Sequence, residues 1–577
     1  MSMNKYYQNE LDKLREQATE FAQAHPTIAP QLAQASSDPD VERILEGVAF
    51  LSGQIRQKID DDFPEFSQGL LKQIFPHYLR PVPSATLMQF RPKDILKNHL
   101  KVEQGSFIDS QQVEGVNCRF STVFDLDVYP MQVSGVASAE SSSGRKQIEV
   151  SFSLNGLNVA QLETDSLQLY LGGDYQGAVE LFYLLLNCVD QIDIVAPGQN
   201  ANRQAADINI DAPGFDDAQS LIGYPGHAFP SYRLIQEYFT LKQKFLFIRL
   251  SNLKQSLSAI NASSFTLRFV LKDQVNVLPR MNPERFMLHV IPAINLFKRD
   301  AEAILNDHRR SEYRVLPLRS QANQYHIYSV DAVQGQSRRS SQQTQYRDIG
   351  LANPDLNDKP AYQIIQRDAD AADEQVFISF SYPPGFDVNQ RETLSIELTC
   401  SNGEFPSRLK PGDISKPTSS TSDLMTFENI LQPSDYQHIP QGSSMLWRLL
   451  SHLSLNYLSL ADTENLKALL GLYIFSGSTG NAQEVANRKR IEGIRQVEVS
   501  ACDGLYGGIA MRGQAINVRV NPANFSAIGD MYLFGALLDR LFASFASINC
   551  FTRFSLTDEV TEEVYRWTDR TGDRPLI

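Results

Sequence analysis

The sequence predicts an α+β, multi-domain protein with an N-terminal helical segment, two strand-rich middle domains and a C-terminal mixed α+β domain. Three observations lead to it. Apolar residues in the first eighty positions recur at helical spacing, the period changes to two after Ser84, and leucine-rich helical stretches alternate with short strands beyond residue 423. A chain of 577 residues has room for about three or four folding units of ordinary size.

Residues 1–83 form the helical region. Tyr7, Leu11, Leu14, Ala18 and Phe21 share one face of a first helix that stops near His25-Pro26. Asp38-Pro39-Asp40 starts a second: the aspartate caps it, the proline needs no N–H partner there, and acidic charge suits the positive helix end. Its apolar stripe is Val41, Ile44, Leu45, Val48, Leu51, Ile55 and Ile59, and burial in the chain's own core is favoured over a partner-facing role. A third helix begins near Pro64, carries Leu70, Leu71, Ile74, Phe75 and Tyr78, and stops at Arg80-Pro81-Val82-Pro83.

Residues 84–282 read as a sheet-rich domain with inserted helices. Ile148, Val150, Phe152 and Leu154 alternate with polar residues, as do Phe265, Leu267, Phe269 and Leu271, while Ser141–Gly144 reads as a hairpin turn. Helices are expected over 174–188 and 230–240. The second strand-rich domain, 283–422, has its clearest strands at 324–330, 376–382 and 393–399, with a long polar loop at 335–375. Residues 403–423, rich in Pro, Gly, Ser and Thr, read as a linker. In 423–577, helices are expected over 445–460, 463–475, 481–495 and 530–548, with strands at 496–501, 514–520 and 551–556, and Asp462 capping the second helix.

Composition narrows function by exclusion. With 42% hydrophobic and 21% charged residues the chain is not collagen-like, wholly disordered or a coiled coil. Fifty-three Lys and Arg against 67 Asp and Glu give a net charge of −14, which opposes general nucleic-acid binding. No apolar run approaches the roughly 18 to 20 residues of a spanning helix, and the N-terminus has no apolar signal-peptide core, so a cytoplasmic location without membrane insertion is expected. Cys118, Cys188, Cys400, Cys502 and Cys550 are dispersed and form no Cys-x-x-Cys pair, which suits reduced, buried thiols.

The sequence contains no phosphate loop, dinucleotide fingerprint, His-Glu-x-x-His or Gly-x-Ser-x-Gly motif. Gly172-Gly173 and Gly504–Gly508 read as turns, and Asp60-Asp61-Asp62 as a solvated helix end whose side chains diverge by about 100° per residue. The histidines are scattered, and the pairs Arg309-Arg310 and Arg338-Arg339 read as solvated loop charge. No catalytic residue, cofactor or metal ligand is assigned. An enzyme, for instance a glycan hydrolase, would require a deep polar pocket with two carboxylates about 5 to 10 Å apart.

Several blocks together resemble one known family. Asp38-Pro39, Glu42-Arg43, Glu46-Gly47 and Pro64 fall in the first, Pro76-His77-Tyr78 with Arg80-Pro81 in the next, and Tyr232, Asn295, Phe297, Asn549 and Arg553 in later ones. In content and order these resemble TssF (VasA, ImpG), a baseplate subunit of the bacterial type VI secretion system. The resemblance implies a noncatalytic structural role, with these positions structural or at interfaces. It implies two copies of this chain per TssG, joined with TssE and TssK in a wedge around the VgrG spike hub. That platform supports polymerisation of the TssB/TssC sheath and effector delivery, docked to the inner-membrane complex. A phage or phage-derived contractile tail baseplate is the related alternative.

Overall fold

The computed structural model describes most of the chain. Outside the described residues lie 1–79 except 7–8, 11, 14–15, 43 and 46–52, together with 142–143, 198–202, 205–207, 225–229, 276, 319–323, 338–342, 350–358, 369–373, 384–390, 439–461, 475–481, 507–508 and 573–577. The chain divides into two compact units, Met1–Leu79 with Gln441–Leu453, and Arg80–Pro440 with Ser454–Ile577.

In the first unit the described residues are helical, at the first two segments where helical spacing placed them. Leu11 and Ala49 are buried. Val48 and Leu51, expected to be buried, are instead 43% and 59% exposed, beside an exposed Phe50. Periodicity identifies an apolar face without saying what covers it. The third expected helix and the one at 445–460 lie outside the described residues.

The second unit is a mixed α+β fold of several sheets. A six-stranded antiparallel sheet has the order Ile414–Lys416, Phe107–Val113, Val116–Thr122, Val290–Ile294, Ala85–Pro92, Met425–Asn429. It encloses Phe90, Ile108, Phe120, Ile291 and Ile414. Residues from both sides of 403–423 therefore share one sheet, and the expected linker is folded. Leu409 and Ile414 are buried in that core, and the polar residues are spent locally: Thr418 Oγ1 donates to Phe107 O at 2.6 Å and Ser420 Oγ accepts from Phe107 N at 2.8 Å. Low apolar content concealed two anchors.

A five-stranded antiparallel sheet, Arg203–Gln204, Val189–Val195, Ser264–Leu271, Lys146–Leu154, Met131–Glu140, contains both strands read from alternation. Glu140 pairs with Lys146 across the hairpin expected at 141–144. A four-stranded sheet joins Asn209–Asp211, Phe247–Ser251, Ser166–Leu171 and Phe286–Met287.

The eight-stranded sheet runs Phe297–Asp300, Glu392–Ser401, His326–Ser337, Gln343–Asp348, Ala361–Asp368, Glu374–Ser381, Glu312–Arg314, with Ile304–Asn306 also on Glu392–Ser401. Its two ends meet: Ala301 bridges Pro317, Glu302 N donates to Leu316 O and Leu318 N to Asp300 O, both at 2.8 Å. The closed sheet wraps Phe297, Val333, Tyr346, Ile378, Ile396 and Leu398. The loop expected at 335–375 holds two of its strands. Their polar sequences, Gln-Thr-Gln-Tyr-Arg-Asp and Ala-Tyr-Gln-Ile-Ile-Gln-Arg-Asp, supply only a few inward apolar residues, too weak an alternation to distinguish from a loop.

Five helices matter below: α1 (Tyr175–Asn187), α2 (Pro230–Leu241), α3 (Thr463–Leu472), α4 (Ala482–Glu492) and α5 (Ile528–Ala543). Asp174 caps α1, accepting from Gly177 N at 2.9 Å, and Asp462 caps α3, accepting from Glu464 N at 2.8 Å. Helix α5 is the crossover between parallel strands Ile509–Val520 and Cys550–Asp558, and Ile494–Tyr506 pairs antiparallel with the first. Leu533, Phe534, Leu537, Leu538, Leu541 and Phe542 are buried, so α5 is apolar all round and covered all round. It crosses α1 at Gly529, where a Cβ would strike the Val179 backbone. Among the described residues no helix is long and apolar enough to cross a membrane.

Candidate interaction surfaces and the scaffold that presents them

Of the family-like positions that the structure describes, Pro81, Tyr232, Asn295 and Phe297 are buried, Arg80 is half-buried, and Arg43, Glu46, Gly47, Asn549 and Arg553 are exposed. Asn295 and Asn402 are fully buried where the chain passes between the six-stranded and the closed sheet. Asn295 Nδ2 donates to Arg119 O and Asn402 Oδ1, both at 2.8 Å, and its Oδ1 accepts from Asn402 N at 2.6 Å. Asn402 Oδ1 also accepts from Arg119 N at 3.1 Å. This amide pair fastens both crossings, and each polar side-chain atom of the two amides has a partner, Asn402 Nδ2 donating to Gln324 O at 3.3 Å. Phe297, next along, enters the closed core against Tyr325.

Pro81 is buried and Arg80 sits over the Tyr328 ring at 5.2 Å. Tyr232 on α2 stacks on Tyr473, with centroids 5.7 Å apart. Asn549 adopts φ 65°, a left-handed conformation that Asn tolerates, just before strand Cys550–Asp558. Arg553 is half-exposed and pairs with Asp569 at 2.7 Å. Arg43, Glu46 and Gly47 are exposed on the N-terminal helix. Asp38, Pro39, Glu42, Pro64, Pro76, His77 and Tyr78 lie outside the described residues.

The helical layer is held by charges that sequence reading missed. Asp530, fully buried on α5, receives Arg490 Nη2 of α4 at 2.9 Å, Tyr175 OH of α1 at 2.6 Å and Ser526 Oγ at 3.0 Å. Burial alone would raise its pKa, but Arg490 and Tyr175 outweigh this and hold it below the usual range. Lys242 lies over the Tyr175 ring at 3.7 Å, and burial beside Arg490 lowers its pKa to about 8. A second pin joins Glu237 of α2 to Lys244, both buried, with Glu237 also accepting from Leu221 N at 2.7 Å. A third sets Asp539 against Arg570 at 2.5 Å, where burial still raises the carboxyl above its normal range. A signal existed: Asp530 and Asp539 are the acidic residues in an otherwise apolar helix, and buried carboxylates require partners.

The corresponding glycine reading also changes. Gly173 does adopt φ +84°, but Gly172 and Gly177 are small because Met287 and Arg285 press against them. Arg285 is buried and donates to Gly172 O at 3.2 Å, Asp174 O at 3.1 Å and the Asp174 carboxylate. Cys118 and Cys400 are buried, and burial pushes both thiols up to about 12, whereas Cys188, Cys502 and Cys550 are half-buried.

A recess lined by Val82, Ala85, Leu221, Glu237 and Ile294 is chiefly apolar, and its one carboxylate is the one tied to Lys244. Among the described residues no cluster of three His, Cys, Asp or Glu side chains is placed to hold a metal ion. Surfaces, by contrast, are prominent. Leu505 is 75% exposed on a two-stranded ribbon that runs past the end of strand Cys550–Asp558, and Val560 is exposed in the loop after that strand. Large exposed apolar side chains of this kind mark contact sites more often than reactive ones.

Comparison with known proteins adds the following. Residues 1–574 match the family described as Type VI secretion system, TssF. Type VI secretion system component TssF1 of Pseudomonas aeruginosa is 28% identical over 619 residues, spanning 99% of each chain. A chain in the structure of the type VI secretion system TssK-TssF-TssG baseplate subcomplex superposes with a TM-score of 0.80 at 27% identity, over 93% of this chain and 99% of that one. A chain in the baseplate complex from the type VI secretion system shares the fold, with a TM-score of 0.62 at 22% identity over the full length of both.

Proposed function

The chain belongs to the TssF family and is a baseplate subunit of the type VI secretion system, and from that premise we propose that it acts without catalysis, as a wedge subunit whose function is contact geometry. It joins TssG, as two copies per TssG, and with TssK and TssE surrounds the VgrG hub. The assembled platform supports TssB/TssC sheath polymerisation in the cytoplasm and docks to the inner-membrane complex. The observation that carries this reading is the match of sequence to the TssF family over residues 1–574 together with the fold match to a chain of a TssK-TssF-TssG baseplate subcomplex.

The scaffold supports it physically. Buried amide and ionic pins hold sheets and helices in fixed register, which suits a part that must present several surfaces at set positions. Exposed Val48, Phe50 and Leu51 on the N-terminal helix supply apolar contact area. The test is co-expression with TssG followed by native mass spectrometry. The expected species contains two copies of this chain and one TssG, and a monomer indifferent to TssG at micromolar concentration overturns the reading.

A further inference from the structure

The sheets differ in how their edges are protected. A free edge exposes N–H and C=O groups that invite another strand, and proteins blunt it by brevity, bulges, lysine or proline. Edge strands Ile414–Lys416, Arg203–Gln204, Asn209–Asp211, Phe286–Met287 and Val564–Arg566 have two or three residues, and Met425–Asn429 has five. The ten-residue edge Met131–Glu140 is broken by a register shift between Val133 and Gly135. The closed sheet ties its ends together.

Ile494–Tyr506 has none of these devices over most of its thirteen residues. Its register with Ile509–Val520 is unbroken from Gln496 to Tyr506, and 498–505 contains neither proline nor lysine. Val497 N donates sideways to Thr463 Oγ1 at 3.1 Å, so the backbone groups of residue 497 point away from the paired strand. By the alternation of an antiparallel ladder, those of Val499, Ala501, Asp503 and Leu505 point the same way. Every residue from 498 to 505 is exposed or half-buried.

The side chains say what would bind there. Glu498 and Asp503, one on each face of the strand, are exposed and form no ion pair among the described residues. A second copy added antiparallel about Ala501 would place Glu498 opposite Gly504 and Asp503 opposite Val499 and so bring no base to either acid; within the sheet Asp503 lies opposite Arg512 in the ladder without forming an ion pair. A basic segment answers both.

We propose that the outer edge of Val499–Leu505 is a docking strand for an extended, lysine- or arginine-bearing segment of a partner chain in the baseplate. The segment extends the sheet through backbone hydrogen bonds and sets its basic side chains against Glu498 and Asp503. The choice of partner complex rests on the assembly reading above; the docking edge itself rests on the strand geometry.

Hydrogen exchange resolved at Val499, Ala501 and Asp503 tests this, in the full chain alone and in the complex with its co-expressed baseplate partners. These amides exchange freely in the lone chain and at least tenfold more slowly in the complex. Ala501→Pro removes an N–H that the existing ladder does not use, so it leaves the melting temperature unchanged and weakens assembly at least tenfold. Glu498→Lys with Asp503→Lys leaves the backbone intact and weakens assembly to a similar degree, more so at low salt, and it carries the test if the proline variant fails to fold. Unprotected amides in a complex that does form overturn the docking strand and spare the assembly reading, as does undiminished assembly of the charge-reversed variant. Protection already present in the lone chain and lost on dilution identifies a second copy and overturns the basic partner. A chain that joins no complex overturns both readings.

Discussion

The helical layer around Asp530 and the β region around Asn295 bury polar side chains equally deeply but fasten them with different chemistry. In the helical layer the pins are full charges: Arg490 with Asp530, Lys244 with Glu237 and Arg570 with Asp539. Around Asn295 they are neutral, the Asn295–Asn402 amide pair and a buried His289 whose Nε2 accepts from Tyr129 N at 3.1 Å, while the closed sheet's buried Glu392 is met by a hydroxyl, Tyr346 OH at 2.8 Å, rather than by a cation. Sheets already have their register set by ladder hydrogen bonds, so an amide pair needs only to secure a crossover. Helices α1, α4 and α5 are joined by no ladder hydrogen bonds. A buried ion pair there adds little net stability, because desolvation offsets attraction, but it strongly disfavours every packing that separates the charges.

The contrast can be broken experimentally, beginning with its largest effect. Asp530→Ala strands the Arg490 guanidinium in the core and is expected to cost about 4 kcal/mol in chemical denaturation. Replacing both partners with apolar residues, Arg490→Met with Asp530→Leu, recovers most of that loss; a double variant as unstable as the single would show that the charges supply stability itself. Asn295→Ala removes three hydrogen bonds and orphans the Asn402 and Arg119 groups, with an expected loss of about 3 kcal/mol. Salt should leave this loss unchanged.

His289 sharpens the comparison through pH. Burial lowers its pKa to about 4. As pH falls below about 6.5 the unfolded chain takes up a proton that the native state refuses until about 4, so stability falls across that window and is fully present above it. The expected loss is of order 2 to 3 kcal/mol in melts at stepped pH, and His289→Gln flattens that part of the slope. The smallest effect is expected from Asp462→Ala. Losing the α3 cap costs about 1 kcal/mol in chemical denaturation, because the cap bond is exposed and water replaces much of it.

Local structure was largely legible in the chain. Alternation found Lys146–Leu154 and Ser264–Leu271, the apolar run found α5, and capping chemistry found the start of α3. Two segments were misread for one reason: 335–375 and 403–423 contribute few apolar residues, and those few are anchors in sheets whose other strands lie far away in sequence. The family-like positions were visible only as resemblance. Asn295 carries no local mark of a buried crossover pin, because its partner Asn402 is more than a hundred residues away.

By itself the sequence determined most of the described element types, the α+β class and, through its family-like blocks, membership of a baseplate family, since periodicity, caps and block content are local properties of the chain. Only the tertiary structure decided that the strand-rich sheet closes on itself, that Asp530 is an ionic pin and that Val499–Leu505 is an edge with no further strand on it among the described residues. Each of those depends on which distant groups meet, and hydrogen-bond and charge partners separated by long stretches of chain are assigned by packing rather than by local pattern.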